Sequence, residues 1–351
     1  MKKIVILGGG SWGTALAIVF SRTYKKHNIS LWAHNPALAE SMRVSRENTF
    51  YLPGIPVPAA IQIFSDLRES LAGADILVGA IPSAHARSIY SQALPYVSSE
   101  TIFVSATKGL EPSTHLRMSK VLAQLLGHGT LGEASHRIAV LSGPSFAAEA
   151  ARGEPTAVVL ASEHRTPSSR AGAHGFSLLA DELQVEFTGP AFRLYSNTDV
   201  LGVELAGAMK NVIAIAAGCC QGLGLGSNPV AALVTRGLAE MTRLAVALGA
   251  RAETLSGLAG LGDLVLTCTG GLSRNRHVGI ELGKGHAMHQ ILASMRMVAE
   301  GVDTAGALLA LGREHKIELP ITEQVEAILH QNKPAREAIR EIMDRSLKRE
   351  S

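Results

Sequence analysis

The run Lys3-Ile4-Val5-Ile6-Leu7, followed at once by Gly8-Gly9-Gly10-Ser11-Trp12-Gly13, constrains this chain more than any other stretch. A continuous apolar run is the pattern of a strand buried on both faces. The glycines then open into Thr14-Ala15-Leu16-Ala17-Ile18-Val19-Phe20, which reads as a helix. G-x-G-x-x-G between a strand and a helix is a dinucleotide-binding turn. Gly8 permits the tight turn, Gly10 lets a pyrophosphate approach the backbone, and Gly13 lets the helix pack on the strand. The helix start then offers N–H groups to phosphates.

Alternation of strand and helix patterns continues through the first half. Ile29 to Trp32 is the second strand, and its end reads Ala33-His34-Asn35 with no acid. An NAD-selective site usually places Asp or Glu there for the ribose hydroxyls. His34 is either a contact for an adenosine 2′-phosphate or a solvated loop residue, so NADPH is favoured and NADH stays open. Phe50 to Pro58 is proline-rich and reads as a turn. Ile61 to Ser65, Asp75 to Ile81, Thr101 to Ala106, Arg137 to Leu141, Thr156 to Ala161 and Leu183 to Phe187 read as further strands. Lys108 follows one of them, where ligands sit in a doubly wound sheet. Its alternative is an ordinary surface lysine. Ser142-Gly143-Pro144-Ser145 follows another and offers backbone N–H groups to a substrate. The fold class is α/β, with a doubly wound dinucleotide-binding domain over 1–190 and an all-α domain over 191–351. The boundary is placed near Gly189-Pro190.

From Asp199 onward strand patterns give way to helical ones, at 199–220, 228–249, 275–284, 302–315, 320–331 and 334–347. Leu201 to Cys220 is apolar nearly all round, the pattern of a helix buried on every side. Glu204, Lys210 and Asn211 interrupt it. A buried lysine needs an anion or a task, because losing hydration penalises its charge. Together with Asp199, these side chains argue against a membrane span. Asp263 stands alone in the glycine-rich run Gly257 to Leu264. It is either the buried partner of Lys210 or a helix cap. Ser273-Arg274-Asn275-Arg276 opens another helix with a hydroxyl, an amide and guanidinium groups. That combination suits a phosphate, or else Ser273 is a plain cap over solvated arginines.

Net charge is +3, from 33 basic and 30 acidic residues among 351, which favours neither nucleic acid nor a membrane surface as partner. Three cysteines, two adjacent, make no disulfide framework, and Met1-Lys2-Lys3 runs straight into a strand rather than a signal peptide. A reduced cytoplasmic compartment is expected. No metal-ligand spacing and no nucleophile elbow is present in the sequence.

GGGSWGTALA, SATKGLE, SGPSFAAE, GAMKNVIAIAAG, TRGLAEM, GLAGLGDLVLTCT, SRNR and VAEG occur in this order over nearly the whole chain. Together they resemble the bacterial soluble NAD(P)-dependent glycerol-3-phosphate dehydrogenases. The resemblance implies a Rossmann-like domain and a helical domain of the 6-phosphogluconate-dehydrogenase-like kind. It implies interconversion of dihydroxyacetone phosphate and sn-glycerol 3-phosphate for glycerophospholipid synthesis, in a cytoplasmic homodimer. On the matching positions, Lys210 is the catalytic proton donor. Gly8, Gly10, Ser11, Trp12, Gly13, His34, Ala147, Val298 and Glu300 are cofactor positions. Gly143, Ser145, Asp263, Ser273, Arg274 and Asn275 are substrate positions, as is Lys210. Lys108 and Arg274 meet both. Two rivals stand beside this reading: a two-domain reductase of another small oxo acid, and a non-catalytic dinucleotide sensor.

Overall fold

A computed structural model describes residues 1–127, 137–163, 165–167, 176–295 and 299–346. The chain divides into two compact units, Met1–Glu204 and Leu205–Ser351.

The first unit is built on an eight-stranded sheet. Its strands are β1 (Lys3–Leu7), β2 (Asn28–Trp32), β5 (Gln62–Phe64), β6 (Ile76–Gly79), β7 (Ile102–Ser105), β8 (Ile138–Ser142), β9 (Thr156–Ala161) and β12 (Phe192–Asn197), in the order β12-β9-β8-β7-β6-β1-β2-β5. Every pairing is parallel except β8 with β9. The chain leaves β1 for β2 on one side and returns to β6 on the other, so the topological switch lies beside β1, where such sheets bind ligands. The unbroken apolarity of β1 has a simple cause. Ile4 and Ile6 enter one apolar core, and Val5 and Leu7 enter a second on the opposite face. Helices α1 (Ser11–Ser21), α2 (Pro36–Ser45), α3 (Leu67–Leu71), α4 (Ser83–Ala93), α5 (Met118–Leu125), α6 (Ala147–Arg152) and α7 (Leu179–Phe187) punctuate the strands. Small two-stranded sheets join β3 (Glu47–Asn48) to β4 (Leu52–Pro56), and β10 (Arg165–Pro167) to β11 (Phe176–Leu178).

Three expectations need correction. The proline-rich loop contains β4, which pairs with β3. Leu183 to Phe187 is not a strand but the end of α7. Its buried residues, Leu179, Ala180, Leu183 and Phe187, recur at helical spacing, and the short alternation of Leu-Gln-Val-Glu-Phe masked that period. The last strand is β12, whose Phe192 and Leu194 are buried while Arg193 and Tyr195 are exposed. It pairs with β9, so the division lies at Glu204–Leu205 and not at Gly189-Pro190. A half-buried edge strand carries too little apolar signal to stand out between Gly189-Pro190 and the long helix.

That helix, α8 (Val200–Gly222), begins in the first unit and continues into the second. It is long and apolar enough to cross a membrane by composition alone, yet 89% of its most apolar window is buried inside the protein. The second unit is helical throughout its described residues: α9 (Ser227–Ala247), α10 (Ala252–Ser256), a π-helical turn over Leu258–Gly262, α11 (Asp263–Thr269), α12 (Arg274–Gly283), α13 (Met288–Ser294), α14 (Glu300–Glu314), α15 (Pro320–His330) and α16 (Ala335–Met343). Glu240 on α9 is buried and accepts from the Ile321 and Thr322 backbone N–H groups and the Thr322 hydroxyl, capping α15. Burial raises its carboxyl pKa, and those donors oppose the shift.

Helices α8 and α12 lie backbone against backbone. A Cβ at Gly218 would sit 2.1 Å from the Arg276 carbonyl oxygen, and one at Gly279 would sit 1.9 Å from that of Ile215. Gly222 and Gly283 are in similar contact. Residue numbers rise together along both helices, so the glycines bring the start of α12 beside Lys210 and Asn211. The cysteines pack as small apolar groups here. Burial pushes the Cys219 and Cys268 thiols up to about 12 and raises Cys220, so all three stay protonated near neutrality.

Candidate active site

The first unit presents the turn between β1 and α1. Gly8 has φ +124°, and a Cβ there would fall 2.4 Å from the Ala80 carbonyl oxygen. A Cβ on Gly13 would fall 1.8 Å from the Gly8 oxygen, whereas nothing lies within 4 Å of one on Gly10. The three glycines thus do three different things: turn, open face and close packing. Gly10 starts α1 without a side-chain cap, so Ser11 and Trp12 form a first turn that carries the positive end of the helix dipole. Trp12 keeps a buried Nε1 that lacks a hydrogen-bond partner. These residues fit the pyrophosphate of a dinucleotide. Asn48, fully buried, braces the turn by donating to the Gly9 carbonyl at 2.9 Å and the Thr14 hydroxyl at 2.8 Å.

At the end of β2, Asn35 Oδ1 is engaged in capping α2 through the Ala37 and Leu38 N–H groups. His34 is exposed, its ring 5.8 Å from that of Trp32. Beyond β7, Lys108 Nζ donates to the Gly143 carbonyl at 2.8 Å and to Ser145 Oγ at 3.3 Å. Gly143 has φ +132° and packs against Val158, so the turn after β8 is shaped by glycine. Lys108, Gly143 and Ser145 therefore form one group at the carboxyl ends of β7 and β8, with Ala147 just past it as the first residue of α6.

The second unit assembles the remaining candidates. Lys210, 5% exposed, donates from Nζ to Asp263 Oδ1 and to Thr267 Oγ1, both at 2.8 Å. Asp263 is 1% exposed. Thr267 in turn donates to the Asp263 carbonyl at 2.6 Å. Asp263 is thus the buried partner of the lysine. The π-helical turn before it brings a fresh helix start to that position, a distortion common at functional sites. One residue on, Asn211 Oδ1 accepts from Asn275 Nδ2 at 3.0 Å, and Asn275 Oδ1 accepts from the Gly301 N–H at 2.9 Å. Asn275 thereby pins the starts of α12 and α14 to α8. Ser273 does cap α12, its Oγ accepting from the Arg276 N–H at 3.2 Å. The hydroxyl proton is retained for another acceptor. Arg274 follows as an exposed side chain at an N-terminus. Surrounding protein atoms lower its pKa, and the Glu300 carboxylate at the start of α14 pulls it back up. Val298 lies outside the described residues.

Known proteins resemble this chain along nearly its whole length. Residues 3–167 match the N-terminus of NAD-dependent glycerol-3-phosphate dehydrogenase, and residues 199–340 match its C-terminus. The chain belongs to that family. It is 50% identical over 346 residues to a glycerol-3-phosphate dehydrogenase [NAD(P)+] of Koribacter versatilis, covering 98% of each chain. It is 48% identical over 349 residues to one of Geobacter sulfurreducens, covering 99% of each. The crystal structure of glycerol-3-phosphate dehydrogenase from Coxiella burnetii superposes with a TM-score of 0.87 at 39% identity, over 98% of this chain and 99% of that one. Members of this family are NAD(P)-dependent oxidoreductases, so the expected fold class, enzyme class and cofactor class hold.

Sequence reading overlooked several residues that shape the site. Thr267 lies four residues after Asp263 on the same helix face, and that spacing was the available signal. Asn211 was visible only as a polar interruption, and Gly301 only as the last residue of the VAEG run. Asn48 gave no signal at all, because its partners are distant in sequence.

Proposed function

We propose that this chain reduces dihydroxyacetone phosphate to sn-glycerol 3-phosphate, reversibly, with Lys210 as the proton donor. The observation that carries the reading is the buried Lys210–Asp263–Thr267 group. A buried ion pair is a poor investment for stability alone, since matched apolar residues serve as well. An ammonium fixed by a carboxylate is, however, suited to a carbonyl oxygen that gains negative charge.

The chain's own residues divide the work as follows. Asp263 and Thr267 orient the Lys210 ammonium. Lys210 hydrogen-bonds the substrate carbonyl oxygen and transfers a proton to it as charge develops. The nicotinamide, when bound, supplies the hydride. Arg274, the Ser273 hydroxyl and the N-terminal N–H groups of α12 hold the substrate phosphate, so that binding far from the reacting carbon orients the ketone. Asn211, Asn275 and Gly301 keep that helix start in place. Lys108, Gly143 and Ser145 form the anion-facing edge of the first unit and would meet both substrate and cofactor. Gly8, Gly10, Ser11, Trp12 and Gly13 would hold the pyrophosphate, and His34 the adenosine end. His34 with no neighbouring acid supports NADPH over NADH. Ala147, Glu300 and Val298 are assigned to the cofactor by likeness to the family. A homodimer in the cytoplasm, serving phospholipid synthesis, completes the reading, and light scattering at twice the chain mass is the expected sign of the dimer.

Arg274→Ala tests the phosphate anchor. Removing a charge-assisted hydrogen bond of about 1.5–3 kcal/mol raises KM for dihydroxyacetone phosphate by about ten- to a hundred-fold. Cofactor affinity also weakens, and the folded state persists. Steady-state kinetics in both substrates reads this out, and unchanged KM values for both would remove Arg274 from the site.

A further inference from the structure

Helix α8 buries three polar side chains, Glu204, Lys210 and Asn211, and only two of them belong to the chemistry just described. The third, Glu204, is the last residue of the first unit. It is 9% exposed, and its carboxylate is fully engaged there. Arg117 Nη1 donates to Oε2 at 2.5 Å, Ser119 Oγ donates to the same oxygen at 2.5 Å, and the Ser119 N–H donates to Oε1 at 2.8 Å. Arg117 and Ser119 flank the start of α5, so Glu204 caps that helix from outside.

The segment that supplies this clamp is the connection between β7 and α5, which also carries Lys108. It is braced along its length. The Thr107 hydroxyl donates to the Ile81 carbonyl at 2.6 Å. Arg87 binds both oxygens of Glu111, at 2.7 and 2.8 Å. The Glu111 N–H donates to Leu116 at 2.9 Å, and Leu110 bridges Arg117. His115 holds a left-handed φ of 58°, uncommon for a non-glycine residue. A segment fixed at so many points transmits position rather than absorbing it.

We propose that Glu204 is a positioning residue for the proton donor, clamped by Arg117 and Ser119 so that the Lys108 segment sets where the Lys210 helix begins. This rests on the assignment of Lys210 given above. Glu204 and Lys210 are separated by about 9 Å of uninterrupted helix, at 1.5 Å per residue. Apolar contacts along a helix are not directional, whereas a carboxylate with three directed donors fixes one position and one rotation at that end. A shift at Glu204 is therefore carried along the helix toward Lys210, and a misplacement of about 1 Å in a catalytic group can lower a rate by about a hundred-fold.

The test is a double-mutant cycle with Glu204→Gln and Arg117→Met, on the full-length protein, in the reduction of dihydroxyacetone phosphate. Each single variant is expected to lower kcat by about tenfold or more, with the dissociation constant of NADPH, from fluorescence titration, within about twofold of wild type. The double variant falls no further than the worse single one, because both remove the same clamp. The primary deuterium isotope effect from deuterated cofactor rises in the variants as the chemical step becomes limiting. Rates are normalised to the cofactor-binding fraction, so loss of folded protein does not imitate the effect. Wild-type kcat in Glu204→Gln, or independent losses that add in the double variant, overturns the proposal. Lys210→Ala in the same assay separates the two readings: an active Lys210→Ala removes the proton donor, whatever Glu204 does.

Discussion

Lys210→Ala is expected to lower turnover by about two to four orders of magnitude, the range that a positioned general acid supplies. Cofactor affinity should stay near that of the wild type, because the glycine turn belongs to another part of the chain. The size of the loss follows from the geometry. Nζ lies 2.8 Å from both Asp263 and Thr267, so the ammonium is held in one orientation that an alanine cannot supply. Alanine leaves the Asp263 carboxylate buried without its cation, which costs about 3–5 kcal/mol. The single variant therefore also loses stability. Combining it with Asp263→Asn removes the orphaned charge and restores much of that stability without restoring the rate. Turnover, cofactor titration and thermal unfolding of the single and double variants check this. Wild-type turnover in Lys210→Ala would end the assignment, and recovery of rate in the double variant would show that the residue served stability alone.

Gly279→Ala is expected to be among the most damaging small substitutions in the second unit. In an exposed helix, glycine to alanine is favourable by about 1 kcal/mol. Here the added Cβ would lie 1.9 Å from the Ile215 carbonyl oxygen and 2.9 Å from the Cys219 nitrogen. Both are backbone atoms of a buried helix and cannot rotate away. Helix α12 must retreat from α8, at an overpacking cost of about 3 kcal/mol or more. The melting temperature should fall by roughly 5–10 °C. The same retreat pulls Asn275 from Asn211 and displaces Arg274, so KM for the phosphorylated substrate rises as well. Gly226→Ala is the control, since nothing lies within 4 Å of a Cβ there. Thermal unfolding of the two variants decides the matter. Equal melting temperatures would mean that α8 and α12 are not in backbone contact.

The parts of this molecule that could be read from the sequence share one property: their signal is local. Gly8, Gly10 and Gly13 sit between a strand and a helix, and each glycine has its own steric reason in the structure. Lys210 and Asp263 could be paired in advance because each was a charge stranded in an apolar run, and two such groups are most stable together. Other features depend on partners far along the chain. The contact of Gly218 and Gly222 with Gly279 and Gly283 is invisible until both helices are in place. Asn275 read as a phosphate contact, yet its amide also ties together α8, α12 and α14. Ser273 showed the opposite ambiguity, since its capping role does not remove its hydroxyl proton from use. Strand β12 was passed over because only one face is buried, and α7 was read as a strand because five residues of alternation outweighed a nine-residue helical period. Glu204 looked like one more interruption of an apolar helix. Its meaning lies in Arg117 and Ser119, more than eighty residues upstream.

The most direct measurement of the central claim is oxidation of reduced cofactor by the wild-type protein, with dihydroxyacetone phosphate and with dihydroxyacetone lacking the phosphate, each run with NADPH and NADH. The predicted result is fast turnover with the phosphate ester, a rate lower by orders of magnitude without it, and a preference for NADPH. Comparable rates with the two ketones would contradict the phosphate anchor at the start of α12. Absence of turnover with the ester, while cofactor still binds, would contradict the proposed reaction itself.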